Sequence, residues 1–303
     1  MKCLAAAQRA LLALLVLAAA AAAGSAGNDA AILHRLRAVL AAVDPAWSAS
    51  WLGWQPNDTA HPCTWQRVEC RQQRVVSIRL YEDRRLHDEV DGPPQHSHSM
   101  GQAAGPLVGP APPPGAWPWG PLIPELAQLD HLRELEMQRF EGQGLSGAIP
   151  SEWGRAGAFP RLRKLSLEVL HLQGPLPEVQ PGGLPVLESL HLGAKGAAVR
   201  LPPSWGASPL ALPALHTLSI HTPLEGPLPA EWARGFRMLS LMVISGAAPV
   251  GVPAAVPAPT LPPEWAQDSA FPRLVYLGLS YPQLSGSFPS SWEGGGWHSL
   301  ETL

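Results

Sequence analysis

The chain has 303 residues and a formal net charge of −3, so it carries no electrostatic footprint for nucleic acid or for an anionic membrane surface. Its 35 prolines argue against long helices and central strands, and 29 glycines, 12 tryptophans and only two asparagines, Asn28 and Asn57, complete an unusual bias. Such a length suits one or two globular domains or a single solenoid, so internal repeats are the first thing to seek.

Lys2 and Arg9 precede an apolar run from Ala10 to Ala23, which is followed by the small residues Gly24, Ser25, Ala26 and Gly27. That order reads as a secretory signal peptide over residues 1–26, cleaved after Ala23 or Ala26, with an uncleaved signal anchor tethering the chain to a membrane as the rival reading. No second apolar stretch of about 18 residues follows, so the mature chain is expected to have no membrane span. Cys3 leaves with the signal peptide, and the remaining pair, Cys63 and Cys70, is one that an oxidising compartment would join.

Residues 27–80 read as a unit. Ile32, Leu36, Val39, Leu40 and Val43 recur at helical spacing, with Asn28 or Asp29 as N-cap and Asp44-Pro45 as the stop. Trp47, Trp51 and Trp54 follow, then Cys63-Thr64-Trp65-Gln66-Arg67-Val68-Glu69-Cys70, then Arg74 to Leu80, which alternates like a strand. A helix, a short loop closed by a disulfide and a first strand suit the task of covering the apolar end of a stacked core. This segment resembles the N-terminal cap of plant leucine-rich-repeat proteins, in which a helix precedes a Cys-x-Trp-x-Gly-Val-x-Cys element. Cys63, Trp65, Val68 and Cys70 match that element, and Arg67 stands where the family usually has Gly. Asn57-Asp58-Thr59 is an N-glycosylation sequon within polar flanks, used or unused.

Residues 81–120 dissolve into Pro, Gly, Ala, His and Ser, including Ala111-Pro112-Pro113-Pro114 and His96-Ser97-His98. The stretch reads as a loosely packed loop that cannot bury enough apolar surface to offset its ordering entropy. His96 and His98 read as solvated rather than as metal ligands, and neither metal nor cofactor is expected.

Over residues 121–303 a repeat emerges. Leu-x-x-Leu-x-Leu motifs begin at Leu132, Leu162, Leu187, Leu215 and Leu274, with a looser copy near Phe236 or Met238 and a partial one at Leu300 to Leu303. Four copies follow the same device, Phe159-Pro160, Leu184-Pro185, Leu212-Pro213 and Phe271-Pro272. After the strand comes Leu-x-Gly and a proline turn, as in Leu145-Ser146-Gly147-Ala148-Ile149-Pro150. Three elements in fixed order identify a leucine-rich-repeat right-handed β-rich solenoid with a helical, disulfide-closed N-terminal cap. The Leu-x-Gly-x-x-Pro signature resembles the plant-specific repeat class, which implies a second short strand after the concave one. The last residues stop inside a strand motif, so the expectation is either a fragment of a longer chain or a far end left open, without a C-terminal cap.

Trp153, Trp205, Trp232, Trp265 and Trp292 each sit three residues after a proline, where the plant repeat usually has Leu. They read as a buried column that fills wide turns, with an aromatic ladder for stacking sugars as the alternative. The asparagine that bonds adjacent turns in plant repeats is missing, its place held by Leu170, Pro223 or Pro282. Together with the proline-rich break from Ala247 to Pro259, this predicts a less regular, locally frayed stack.

Residues between the motif leucines point away from the core. They include Arg79, Tyr81, Glu134, Glu136, Gln138, Lys164, Ser166, Glu168, Ser189, His191, Thr217, Ser219, His221, Tyr276 and Ser280. Glu134, Glu136, Gln138, Lys164, Glu168, His191, His221 and Tyr276 are the candidate ligand-binding set. There is no Gly-x-Ser-x-Gly, no His-Glu-x-x-His, no phosphate-binding glycine loop and no Cys-x-x-Cys, and His191 and His221 are expected near each other on adjacent strands with no nucleophile at the matching position to complete a triad. The expectation is a non-enzymatic recognition module, secreted or at the cell surface, that presents a concave face to a protein, peptide or glycan. It resembles the ectodomains of plant receptor-like proteins. A structural or cell-wall-associated protein and an ectodomain fragment of a receptor-like kinase are the alternatives.

Overall fold

Apolar residues two apart share one face of a strand, and strands this short bury a core only when stacked. The computed structural model describes residues 28–40, 54, 60–80, 122–138, 145–172, 174–196, 198–246, 260–280, 292 and 299–302. Among these, nine strands form one sheet: β1 (Val68–Arg71), β2 (Arg74–Leu80), β3 (Glu134–Met137), β4 (Leu145–Gly147), β5 (Lys164–Leu172), β6 (Ser189–Gly196), β7 (Thr217–His221), β8 (Leu241–Ser245) and β9 (Tyr276–Ser280). β1 and β2 pair antiparallel. From β2 the order β3, β5, β6, β7, β8, β9 is parallel throughout, and β4 adds to β5 as a short second strand. A parallel bridge between Val199 and Leu224 continues that second line.

The register is one to one along the stack. Ile78, Leu135, Leu165, Leu190, Leu218, Met242 and Leu277 lie side by side, and Leu80, Met137, Leu167, Leu192, Ile220, Ile244 and Leu279 make the row beside them. All but the partly covered Leu279 are buried, in one continuous apolar core. Two sequence expectations change here. Met242 and Ile244 take the places of the motif leucines, so the looser copy starts at Leu239, not at Phe236 or Met238. Nor do the described strands fray across the proline-rich break: β8 and β9 pair residue for residue, and the Val275 N–H donates to the Ser240 carbonyl at 2.8 Å. Residues 247–259 lie outside the described residues.

Behind the sheet runs the tryptophan column, and its geometry shows what joins the turns without asparagine. Trp153 Nε1–H donates to the Ile123 carbonyl at 3.2 Å, Trp205 to Pro177 at 2.9 Å, Trp232 to Pro202 at 3.0 Å, Trp265 to Pro229 at 2.9 Å and Trp292 to Pro262 at 3.2 Å. Each bond reaches back to the previous turn. The first four tryptophans are at most 2% exposed, so each buried carbonyl finds its donor in a residue that also fills the core. Trp205 and Trp232 stack at 5.9 Å with 5° between ring planes, Trp232 and Trp265 at 6.4 Å with 11°. The turns approach so closely that a Cβ on Gly206 would sit 2.4 Å from Trp232 Cα, and one on Gly235 2.3 Å from the Gly206 carbonyl oxygen. Glycine is therefore required at both.

One turn breaks the column. In Leu176-Pro177-Glu178-Val179-Gln180, exposed Gln180 stands where the others have Trp, and its Oε1 accepts from the Ala156 N–H at 3.2 Å. Val179 fills the core in its place, and a cavity of about 30 Å³ remains between Trp153 and Trp205. In three of the four copies of the Phe-Pro device, Leu212 being the exception, the residue before the proline also has a defined task. Phe159, Leu184 and Phe271 are left-handed, with φ of 46°, 51° and 41°, and each N–H reaches back to the preceding turn, at Ala127, Ala158 and Ala233.

At the N-terminal end residues 28–40 are helical, and Ile32, Leu33, Leu36 and Leu40 join the core. Asp29 lies within the helix instead of simply capping it. Its carboxylate, fully buried, receives Arg74 Nε at 3.0 Å and the Val75 N–H at 3.0 Å, which ties the helix to β2. Arg74 also bonds Asp130, and Arg35 pairs with Glu125 at 2.7 Å. Cys63 and Cys70 form a disulfide with a Cα separation of 5.5 Å. Arg67, in the glycine position of the resembling element, has φ of 66°, a conformation that glycine adopts without steric cost. Buried Trp54 packs on Trp65, and its Nε1–H donates to the Gln66 carbonyl at 3.0 Å. Among the described residues no helix is long and apolar enough to cross a membrane. The signal-peptide reading of residues 1–26, Asn57, Tyr81 and the 81–120 insertion fall outside them.

Candidate functional site

The outer face of the sheet carries three rows, and the register assigns every residue to one. The first is Ser77, Glu134, Lys164, Ser189, Thr217, Leu241 and Tyr276; the second is Arg79, Glu136, Ser166, His191, Ser219, Val243 and Gly278. The third contains Glu168, Gly193, His221, Ser245 and Ser280. Three stretches of different character result.

Over β2–β5 the face is an ion-pair network closed on itself. Arg79 Nη2 meets Glu134 Oε2 at 2.5 Å and its Nη1 meets Glu69 at 2.6 Å; Glu136 lies 3.6 Å from Arg79 Nε and 2.9 Å from Lys164 Nζ. The Glu134 hydrogen bond raises the Arg79 guanidinium further above its already high pKa, against the cost of burial. Glu136, expected to face solvent, is only 7% exposed because the two cations cover it. Ser166 is buried beside it. Gln138 is half-buried at the edge of this network, and its N–H donates to the Leu80 carbonyl at 2.9 Å.

Over β5–β8 the face becomes a histidine and serine cluster. The His191 and His221 rings lie 5.2 Å apart. His221 Nε2 is 2.7 Å from Ser219 Oγ, and its Nδ1 is 2.5 Å from Ser245 Oγ. A serine hydroxyl thus stands on each nitrogen of His221, Ser219 from the same strand and Ser245 from the next. Glu168 Oε1 is 4.0 Å from His191 Nε2, so the carboxylate stands against the other ring. Burial holds the His191 imidazole below the ordinary histidine range; His221 pushes the same way, Glu168 opposes and Lys164 adds to the lowering.

Over β8–β9 the face turns apolar. Leu241 and Val243 are half-buried, and Tyr276 is 40% exposed. A Cβ on Gly278 would lie 2.9 Å from Tyr276 Cε1, so this glycine leaves room for the ring to lie across the strand. Leu241, Val243 and Ser245 were absent from the sequence-derived set, because that set depended on where the β8 motif begins. The signal was present in Leu239-x-x-Met242-x-Ile244, hidden by its missing leucines. Trp153, Trp205, Trp232 and Trp265 are buried in the core behind the sheet and contribute nothing to this face. On the turn side an open groove of about 460 Å³ has a wall mainly of proline and leucine, with Arg200, Glu231 and Glu264 supplying its charge. Among the described residues no group of three His, Cys, Asp or Glu is arranged to hold a metal.

The chain is similar to plant leucine-rich-repeat receptor ectodomains of known structure. One is the LRR ectodomain of the plant membrane receptor kinase GASSHO1/SCHENGEN3 from Arabidopsis thaliana in complex with CASPARIAN STRIP INTEGRITY FACTOR 2, at 18% identity and a TM-score of 0.48, over 90% of this chain and 29% of that one. Another is PEPR1-AtPEP1, at 21% identity and a TM-score of 0.49, over 91% of this chain and 34% of that one. The chain thus spans about a third of the length of either. No protein-family model matches the sequence, and no curated protein matches it significantly.

Proposed function

We propose that the chain is a non-enzymatic, extracytoplasmic binding module that holds a peptide, or an extended segment of a protein, across the outer face of β6–β9. One observation carries the reading. Arg79, Glu134, Glu136 and Lys164, in the first two rows over β2–β5, satisfy one another, whereas β6–β9 present hydroxyl and imidazole groups beside the apolar Leu241, Val243 and Tyr276. An extended ligand needs polar partners for its backbone and shallow apolar seats for its side chains at strand spacing, and this stretch offers both. A glycan is less well supported, since the tryptophans that could stack on sugars lie in the core. Residues 1–26 as a signal peptide, residues 27–80 as an N-terminal cap and Asn57 as a glycosylation acceptor belong to the same reading, and the Cys63–Cys70 disulfide supports it because such bonds persist in oxidising compartments.

A displayed library of random peptides, panned against the full chain and followed by calorimetry of the winners, tests it. Saturable binding at about micromolar affinity is expected, weakened roughly tenfold or more by Tyr276→Ala or Val243→Asp and unchanged by Leu210→Ser on the turn side. The idea fails if no peptide saturates the chain, or if the strand-face variants bind as well as the parent. Retention on wall material that only high salt releases, with no saturable ligand, would then favour a structural role for the proline-rich segments. Mass analysis of the protein from its native cells checks export: a start near Gly24 or Gly27 is expected, and an intact Met1 would sink it.

A further inference from the structure

Hydrogen bonds converge on His221 in a way that depends on its protonation. A neutral imidazole has one N–H and one lone pair, so one of Ser219 and Ser245 must donate to it and only the other keeps its proton free. An imidazolium donates from both nitrogens. Both Oγ atoms then accept, and both hydroxyl protons turn outward. Protonating one ring therefore adds a positive charge and aims two donors at whatever lies on the sheet. Beside His221 in its row stands Gly193, which leaves a recess against Glu168 and His191; a Cβ there would lie 3.2 Å from Glu168 Cγ and 3.8 Å from His191 Nε2.

We propose that His191, Ser219, His221 and Ser245 form a proton-gated site for an oxyanion carried by the ligand, a carboxylate or a sulfate-type group. This rests on the strand-face reading above and deepens it. The surrounding charges set the gate. On β5 stand Lys164 and Glu168, on β3 Glu136 holds Lys164 at 2.9 Å, β6 and β7 supply the two histidines, and β9 supplies Tyr276. With both rings neutral, Glu136 is covered by Arg79 and Lys164, and Glu168 is left as the carboxylate beside the rings with no Lys or Arg among the described residues against it, so an anion is repelled. With both rings charged the balance reverses. Two imidazolium rings at 5.2 Å repel each other, and burial opposes charge on His191, so the doubly protonated pair is unfavourable until an anion bridges it. Binding therefore takes up protons and strengthens as pH falls. The apolar seat of Val243, Leu241 and Tyr276 lies next to this site, so the preferred ligand carries an acidic group close to an aliphatic or aromatic one.

The probe is inorganic sulfate, which stays fully ionised across the range, so any pH dependence belongs to the protein; acetate is the carboxylate counterpart. Calorimetry of the full chain in buffers of different ionisation enthalpy, with histidine ring resonances followed by NMR, should show saturable sulfate binding. At about pH 5.5 the affinity should be roughly tenfold higher than at about pH 7.5, with uptake of about one proton. Acetate behaving alike points to a carboxylate ligand, and sulfate alone to a sulfate-type group. His221→Asn, whose amide keeps a polar group beside Ser245 but takes up no proton, should bind weakly and with a smaller pH slope; Ser245→Ala should lose affinity severalfold yet keep the pH slope. Equal affinity at both pH values in the parent, no movement of the His191 and His221 resonances, or an unchanged slope in His221→Asn overturns the proposal. A peptide captured by the strand face without any anion response overturns this site alone and leaves the peptide reading standing. Sulfate binding with no peptide captured overturns only the latter.

Discussion

The two long sides of the solenoid solve the same problem in opposite ways. On the turn side the five column tryptophans make one identical contact, an indole N–H to the carbonyl of the previous turn, and the rings of Trp205, Trp232 and Trp265 stack in the core. On the strand face the contacts change along the stack: a closed ion network gives way to a histidine and serine cluster and then to Leu241, Val243 and Tyr276. Repetition on one side carries stability. Variation on the other leaves groups whose partners are not all supplied from within.

The contrast can be broken most severely on the turn side. Trp232→Ala removes a fully buried ring stacked on both sides and should cost about 3–5 kcal/mol, read as a lower urea midpoint. A loss below about 1 kcal/mol would mean that the column does not hold the turns together. Gly206→Ala forces a methyl onto the Trp232 backbone and should cost roughly 1–3 kcal/mol, enough to lower the melting temperature by several degrees. Trp232→Phe keeps most of the ring and removes the N–H, so the Pro202 carbonyl is stranded at about 1–3 kcal/mol; a loss near zero would deny the hydrogen bond its part in joining turns.

On the strand face the expected effects are smaller and depend on pH. The folded state holds His191 below its ordinary pKa and so binds fewer protons than the unfolded chain near the ordinary histidine range. Stability must rise with pH through that window and fall on acidification. In buffer free of binding anions, the parent should lose more of its melting temperature between about pH 7.5 and 5.5 than His191→Asn does, and equal losses would contradict the assignment. Lys164→Ala should be the mildest, within about 1 kcal/mol, because its side chain is 46% exposed and its pair with Glu136 is screened by solvent.

Local pattern made much of this legible. Helical spacing from Ile32 to Leu40, the motif leucines and the proline-to-tryptophan interval each depend on residues a few positions apart, and those intervals translate directly into which side faces in. Arg67 shows the limit of such reading: its departure from the glycine of the plant element it resembles is visible in the sequence, but only the backbone, with φ of 66°, shows a conformation that glycine adopts without steric cost.

By itself the sequence determined the repeat, the inward rows and the identity of the column, because a strand's alternation and a turn's proline are local properties. Tertiary structure alone decided that β8 starts its motif at Leu239, that Ser219 and Ser245 stand on either side of His221, that Glu136 is covered, and that an indole takes the place of the absent asparagine. Each of these depends on which residues of different turns come to lie one strand spacing apart, about 4.8 Å. With turns of unequal length, only the stacked register supplies that pairing.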